Sequence, residues 1–81
     1  MPKILIHSFI KNKSQEIRIS AGEFKAKIYI DFRLYYHNDE TDEMLPTRKG
    51  LTVPVELVDA FQEGLNKIQT SQLTVEKLRE E

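Results

Sequence analysis

The chain has 81 residues, with 12 basic and 13 acidic side chains, a net charge of −1 and no cysteine. This length predicts one domain near the lower size limit for a stable hydrophobic core, and the lack of cysteine excludes disulfides and thiolate metal sites. No stretch has the length of a membrane span or the pattern of a signal peptide, so we expect a soluble, cytoplasmic protein without a membrane partner.

The small net charge conceals an uneven distribution along the chain. Residues 1–33 contain seven basic and three acidic side chains, whereas residues 51–81 contain three basic and six acidic ones. A chain with a basic half can present one surface that attracts an anionic polymer even when its total charge is close to zero.

The first two predicted strands cover residues 3–10 and 16–20, where β-branched and aromatic residues alternate with polar ones. Ala21, Gly22 and Glu23 predict the turn or bulge that follows, with Gly22 as the residue suited to a positive φ.

The third predicted strand, residues 24–36, has the clearest alternation in the chain. Because successive side chains of a strand point to opposite faces, one face is predicted to form the core and the other to carry cations and tyrosines. The apolar row is Ala26, Ile28, Ile30, Phe32 and Leu34, and the opposite row is Lys25, Lys27, Tyr29, Asp31, Arg33 and Tyr35.

A polar, acidic turn over residues 38–43 predicts a hairpin to a fourth strand at 44–53, where Pro46 is expected at a strand start or sheet edge. From Pro54 the period becomes helical, and the predicted helix covers residues 54–69. Its apolar stripe, expected to contribute to a core or to a dimer, is Leu57, Phe61, Leu65 and Ile68. Residues 70–81 are expected to be a helical extension or a flexible tail. The predicted fold is α+β, with four antiparallel strands followed by one C-terminal helix.

The residues do not predict an enzyme or a metal centre, because no nucleophile with a neighbouring base, phosphate-binding glycine loop or set of metal ligands is evident. Asp31 is expected to pair with cations of its own face. The third strand carries a row of basic and aromatic side chains, and Arg18 of the neighbouring strand is expected to join it. Such a row suits the binding of single-stranded nucleic acids, because cations bind phosphates and flat rings stack with bases. A solvated face without a ligand is the alternative, since exposed antiparallel strands often alternate in this way.

Three segments carry a resemblance to a known family: FKAKIYIDFRLYY, the acidic turn ending at Glu43 and Met44, and the proline-arginine-lysine-glycine segment of residues 46–50. Together they resemble the positive cofactor four (p15) family of transcriptional coactivators. The resemblance covers residues 16–68. It implies a curved four-stranded sheet with a C-terminal helix, a homodimer, and non-specific binding of single-stranded or melted DNA without a cofactor. The absence of a serine-rich tail suggests a minimal bacterial or viral version.

The resemblance also implies which residues bind nucleic acid. Phe24 and Tyr36 are the implied stacking residues, and alternation places both opposite the cations, so a bulge or strong twist is required at the strand ends. The implied phosphate contacts are Lys25, Lys27, Arg33, Arg48 and Lys49, and periodicity adds Arg18.

The sequence therefore predicts a homodimeric single-stranded DNA-binding protein that is transcriptional coactivator-like, with the transcription machinery as a further partner and a nucleoid-associated location. Two alternatives stay open. One is a dimeric protein-interaction module, and the other is a binder of single-stranded RNA, because stacking and phosphate contacts do not by themselves distinguish the two polymers.

Overall fold

A computed structural model describes residues 3–70 and 78–79. Four strands form one sheet in the order β1-β2-β3-β4, and every neighbouring pair is antiparallel. The strands are β1 (Ile4–Asn12), β2 (Gln15–Phe24), β3 (Lys27–Asn38) and β4 (Glu43–Pro54). A 3-10 turn (Val55–Leu57) leads into the helix α1 (Val58–Thr70). The predicted α+β fold is confirmed, and the prediction for the tail lies outside the described residues except at Leu78 and Arg79, which are helical.

The turn between β2 and β3 does not lie where the sequence predicts it. Gly22 is paired with Tyr29 inside the ladder and has no positive φ. The chain turns instead at Lys25 and Ala26, whose φ angles are 52° and 65°. Two successive positive φ angles define the tight two-residue hairpin turn that usually contains Asn-Gly. Lys-Ala carries no such signal, and a glycine three residues earlier attracts the prediction.

This turn decides which side chains share a face. Phe24 ends β2 and pairs with Lys27, Arg18 pairs with Arg33, and the β2–β3 ladder continues without a register shift. Since residues directly opposite each other project to the same side of a sheet, the pairing defines a cationic face and a helix face. The cationic face carries Arg18, Phe24, Lys27, Tyr29, Asp31, Arg33 and Tyr35, and the helix face carries Ile17, Phe32, Leu34, Leu51 and Val53.

A bulge interrupts the pairing of β3 with β4. Arg33 pairs with Gly50 and Tyr35 with Pro46, so residues 47–49 of β4 lie opposite Leu34 alone. Because β4 is the last strand of the sheet, the bulge lies at an edge, where such irregularities are common. Pro46 lies on this edge strand, as predicted, although β4 begins three residues earlier at Glu43.

The helix leaves most of its apolar stripe uncovered within one chain. Leu34 and Val53 are the buried apolar side chains among the described residues. Phe61 contacts Phe32 of the helix face, with ring centroids 5.7 Å apart. The stripe residues are nevertheless between 37% and 64% exposed: Leu57 47%, Phe61 37%, Leu65 55% and Ile68 64%. Phe61 therefore contributes to the expected core, and every residue of the stripe keeps more than a third of its surface exposed.

Across residues 3–70 and 78–79, no helix has the length and apolar character that crossing a membrane requires.

Candidate nucleic-acid interface

The tip of the β2–β3 hairpin combines an exposed ring with two cations. Phe24 is 56% exposed, and the Lys25 ammonium lies 5.3 Å from the centroid of its ring. Lys27 is exposed and directly opposite Phe24 in the ladder. Phe24 therefore joins the cations without the bulge that alternation requires, because the turn places it on β2. Lys25 lies in the turn itself and not in the row of the third strand.

An open cavity of about 500 Å³ follows the tip on the cationic face. Phe24 and Tyr29 contribute aromatic walls, while Lys3, Asp31 and Thr52 contribute polar atoms. Its volume falls within the range of sites that hold small molecules, and rings that are open to solvent suit stacking with a flat ligand.

Contacts with side chains of the cationic face hold Arg18 in place. Its guanidinium lies 4.4 Å from the centroid of the Tyr35 ring and forms an ion pair with Glu16. The register confirms that Arg18 joins the row of β3. Its charge is partly balanced by Glu16, and Tyr35 supports the guanidinium through a cation–π contact.

Asp31 is the buried acceptor at the centre of the cationic face and is 4% exposed. It accepts hydrogen bonds from Thr52 (2.8 Å), from Arg33 Nη2 (2.9 Å) and Nε (3.1 Å), and from Lys3 Nζ (3.4 Å). Burial acts to raise the pKa of Asp31, but the hydrogen bonds from Arg33 and Thr52 and the charges of Lys3 and Arg33 outweigh it, so the pKa is lowered. The expected pairing of Asp31 with a cation of its own face is present.

Arg33 is engaged on both sides of its guanidinium. Besides Asp31, it binds the backbone carbonyl of Thr47 through Nη1 at 2.9 Å. The hydrogen bond to Asp31 raises the pKa of Arg33 above its usual value. Each guanidinium nitrogen donates one hydrogen bond within the protein, so Arg33 differs from the exposed lysines of the hairpin tip.

Arg48 and Lys49 lie on the edge bulge and are exposed. Lys49 lines a shallow cavity of about 320 Å³ with Lys11, with Arg33 and with the helix-face residues Ile17, Phe32 and Leu34. Lys11 and Lys3 are thus cations that the sequence argument does not assign to a site. Lys11 lies at one of the two register shifts of β1 against β2, where alternation is not continuous, and Lys3 precedes the first residue of β1.

Tyr36 is a predicted stacking residue that the structure does not bring to the cationic face. It pairs with Gln15 and Leu45, in phase with Leu34, and therefore belongs to the helix face, where it is 40% exposed. The β2–β3 ladder has no bulge that would move Tyr36 to the other side. Within one chain, Phe24 and Tyr36 lie on opposite faces.

The predicted residues thus divide into two groups. Arg18, Phe24, Lys27 and Arg33 share the cationic face, with Lys25 at its tip, whereas Tyr36 and Lys49 belong to the helix face. The bulge that carries Arg48 lies at the edge between these two faces.

The acidic loop after β3 encloses His37. Its Nε2 lies 2.7 Å from Asp42 and its Nδ1 3.0 Å from Asp39. Both contacts raise the pKa of His37 above its ordinary value of 6.5, and the contact with Asp42 is the larger cause. Among the described residues, no group of three or more histidine and acidic side chains has the arrangement of a metal site.

Three comparisons relate the chain to known proteins. The model of the family described as Transcriptional Coactivator p15 (PC4) matches residues 11–64. Two crystal forms of a PC4 homologue from Burkholderia pseudomallei are similar in structure. The tetragonal form has a TM-score of 0.75 at 28% identity, over 84% of this chain and 98% of the other. The orthorhombic form has a TM-score of 0.70 at 31% identity, over 84% and 88%.

A bacteriophage T5 homologue of the eukaryotic transcription coactivator PC4 shares the fold with a TM-score of 0.55 at 23% identity, over 91% of each chain. No curated protein matches the chain at a significant level. The family model covers the hairpin tip, the Asp31 and Arg33 contacts, the edge bulge and the start of α1. The chain therefore belongs to the Transcriptional Coactivator p15 (PC4) family.

Proposed function

We propose that this protein binds single-stranded DNA without sequence specificity, as a homodimer, and acts in transcription in the manner of a coactivator. The observation that carries the proposal is the exposed Phe24 ring, flanked by Lys25 and Lys27 beside an open cavity. Exposed rings stack with unpaired bases of any sequence, and neighbouring cations bind the phosphates. Family membership supports a DNA-binding role.

The exposed cations at the edge extend the proposed binding surface. Arg48 and Lys49 are exposed on the bulge of β4, and Arg33 lies opposite the adjoining Gly50. A single strand that leaves the hairpin tip along the cationic face reaches this edge, and from there the helix-face residues Lys49 and Tyr36. The two groups of predicted residues then serve one flexible ligand, which a rigid duplex would match less well.

The exposed helix stripe supports the homodimer. An 81-residue chain with two buried apolar side chains among its described residues has a small core, and small domains commonly gain stability by association. The stripe presents four apolar side chains that are each more than a third exposed, and Phe61 also contacts Phe32 of the sheet. A second copy offers the same stripe, as a two-fold interface requires.

The binding proposal is tested by fluorescence anisotropy with labelled oligothymidine, oligouridine of the same length and a duplex, at several salt concentrations. If Lys25, Lys27, Arg48 and Lys49 each neutralise one phosphate, log K should fall with log salt with a slope of roughly −3, at about 0.7 per contact. Oligothymidine should bind most tightly. Preference for the duplex, or affinity that does not change with salt, would contradict the proposal, and tighter binding of oligouridine would favour RNA.

Phe24 variants test stacking. Phe24→Ala should weaken oligothymidine binding by about 5-fold to 150-fold, which corresponds to about 1–3 kcal/mol for one stacked base. Phe24→Tyr retains the ring and serves as the matched control, while Phe24→Leu retains apolar surface without it. Equal affinities for the leucine and tyrosine variants would show that stacking is not involved.

Sedimentation at micromolar concentration tests the dimer. Leu65→Glu places a charge in the stripe and should shift the protein to the monomer, whereas Gln62→Glu adds the same charge beside the stripe and should not. A wild-type monomer at these concentrations would leave the helix as a surface for another protein, which is the interaction-module alternative.

The bacteriophage T5 homologue is implicated in recombination-dependent DNA replication. Single-stranded DNA arises in that process as it does in transcription, so replication is the second process in which we propose that this protein acts. Deleting the gene and comparing transcript levels with replication and recombination efficiency distinguishes the two.

A further inference from the structure

Arg33 connects the buried carboxylate of its own strand to the bulge of the neighbouring strand. Nε and Nη2 bind the two oxygens of Asp31 at 3.1 and 2.9 Å, and Nη1 donates to the carbonyl of Thr47 at 2.9 Å. The side chain is 21% exposed. A guanidinium held by a two-point contact with a buried carboxylate has a fixed orientation, so its third contact fixes the position of Thr47 relative to β3.

The bulge depends on side-chain contacts because it lacks regular ladder partners. Residues 47–49 fall between the paired positions Pro46 and Gly50. The Thr47 hydroxyl donates to the carbonyl of Leu34 at 2.8 Å and accepts from the Lys49 backbone N–H at 3.1 Å. Arg33 and Thr47 therefore hold the backbone from which Arg48 and Lys49 project.

Gly50 provides the space that the guanidinium occupies. A Cβ at this position would lie 2.7 Å from Arg33 Cζ and 2.7 Å from the carbonyl oxygen of Phe32. The second contact is with backbone, which cannot move aside easily. Glycine at position 50 is thus a condition for the contact between Arg33 and Thr47.

The ion pairs of these side chains also distinguish Arg33 from Arg48 and Lys49. Arg33 shares the Asp31 carboxylate with Lys3, whereas neither Arg48 nor Lys49 forms an ion pair within the described part of the chain. The exposed pair on the bulge is available to phosphates, while Arg33 already has an internal anion.

We propose that Arg33 is a positioning residue, which holds the edge bulge so that Arg48 and Lys49 face the phosphates, and that it does not itself neutralise a phosphate. This inference rests on the proposed binding of single-stranded DNA. It assigns to Arg33 a role different from the phosphate contact that the family resemblance implies.

A double-mutant cycle separates the two roles. Removing two phosphate contacts by Arg48→Ala with Lys49→Ala should weaken oligothymidine binding about 25-fold at 0.1 M salt, from a slope of about 0.7 per contact. Arg33→Gln alone should weaken binding at least about 5-fold, the value of one lost contact on the same basis. In the background without Arg48 and Lys49, Arg33→Gln should change affinity less than about 2-fold, because the residues through which it acts are absent.

Two further variants keep the charge of residue 33 and change its geometry. Arg33→Lys cannot contact Asp31 at two points and Thr47 at a third, and Gly50→Ala displaces the guanidinium. Both should lose about as much affinity as Arg33→Gln. Arg79→Gln, which removes one exposed charge outside the sheet, is the control and should retain wild-type affinity.

Hydrogen exchange of the Lys49 amide provides a readout without DNA. This N–H is bound by Thr47, so its exchange should accelerate in Arg33→Gln and in Gly50→Ala while the amides of the β2–β3 ladder remain protected. The same measurement shows whether each variant is folded.

The outcomes are distinct. If wild-type protein does not bind oligothymidine, the proposed function is wrong. If wild-type protein binds but the effect of Arg33→Gln is retained in full without Arg48 and Lys49, or if Arg33→Lys binds as wild type, Arg33 contacts a phosphate itself and the inference is overturned. Unchanged exchange at Lys49 in folded Arg33→Gln also overturns it.

Discussion

Replacing Asp31 by asparagine tests the centre of the cationic face. The Asp31 carboxylate accepts four hydrogen bonds from Lys3, Arg33 and Thr52. The substitution keeps the size of the side chain but removes its negative charge. Removing one partner of a fully buried ion pair costs about 3–5 kcal/mol. Because Arg33 is 21% and Lys3 54% exposed, water can solvate part of the remaining charge. We therefore expect Asp31→Asn to lower the free energy of unfolding by about 2 kcal/mol at pH 7.

Urea denaturation at fixed protein concentration measures this loss, with Glu40→Gln, an exposed carboxylate of the acidic loop, as the control. The pH dependence gives a second check. A carboxyl whose pKa is lowered in the folded state stabilises it above the unfolded pKa, near 3.8, and loses that contribution as the pH falls through the folded pKa. The difference between wild type and Asp31→Asn should therefore be largest near neutrality and shrink below about pH 4. A loss at pH 7 no larger than that of Glu40→Gln, or a loss independent of pH, would refute the reasoning.

Three other predictions concern local contacts. Ala26→Gly removes the strain of a positive φ and should raise the free energy of unfolding by roughly 0.5–1 kcal/mol, seen as a higher Tm; a lower Tm would contradict this. Asp42→Asn should move the raised pKa of His37 toward 6.5 in an NMR titration, since the contact with Asp42 is the main cause of the shift. Protonated His37 stabilises the folded state fully below pH 6.5, and this stabilisation is lost as the pH rises through the folded pKa. Asp42→Asn should therefore lower the free energy of unfolding on the acid side. An unchanged pKa of His37 in the NMR titration would argue against the contact. Phe61→Ala should lower the free energy of unfolding by about 2 kcal/mol, less than for a fully buried ring, because Phe61 is partly exposed beside Phe32, and Phe61→Leu should retain most of it.

The position of Phe24 shows where sequence reasoning was limited. Alternation along residues 24–36 treats Phe24 as part of the third strand and places it opposite the cations. The structure ends β2 at Phe24 and turns at Lys25 and Ala26, which reverses its face. A two-residue turn without asparagine or glycine depends on the register of the whole β2–β3 ladder, and no local pattern in the sequence reports that register.

The contacts of Arg33 were beyond the sequence for a different reason. Its pairing with Asp31 follows from spacing within one strand and was expected. Thr47 lies 14 residues after Arg33 in the sequence. The two residues are in contact because β4 bulges at Thr47 and because Gly50 leaves space for the guanidinium. A bulge adds residues to one strand only, so the face of each bulged residue depends on the partner strand.

Local periodicity was sufficient for the four strands, the helix, the apolar stripe, the basic row of β3 from Lys27 to Tyr35 and the position of Tyr36 opposite that row, because alternation with period two and recurrence near 3.6 are properties of neighbouring residues. Folding in three dimensions was needed to place Phe24 with the cations, to bring Lys3 to Asp31 and to attach Arg33 to the edge bulge. These features arise from pairing between strands that are distant in the sequence. Their register is set by a turn and a bulge, and at those two places local alternation ceases to indicate which face a side chain occupies.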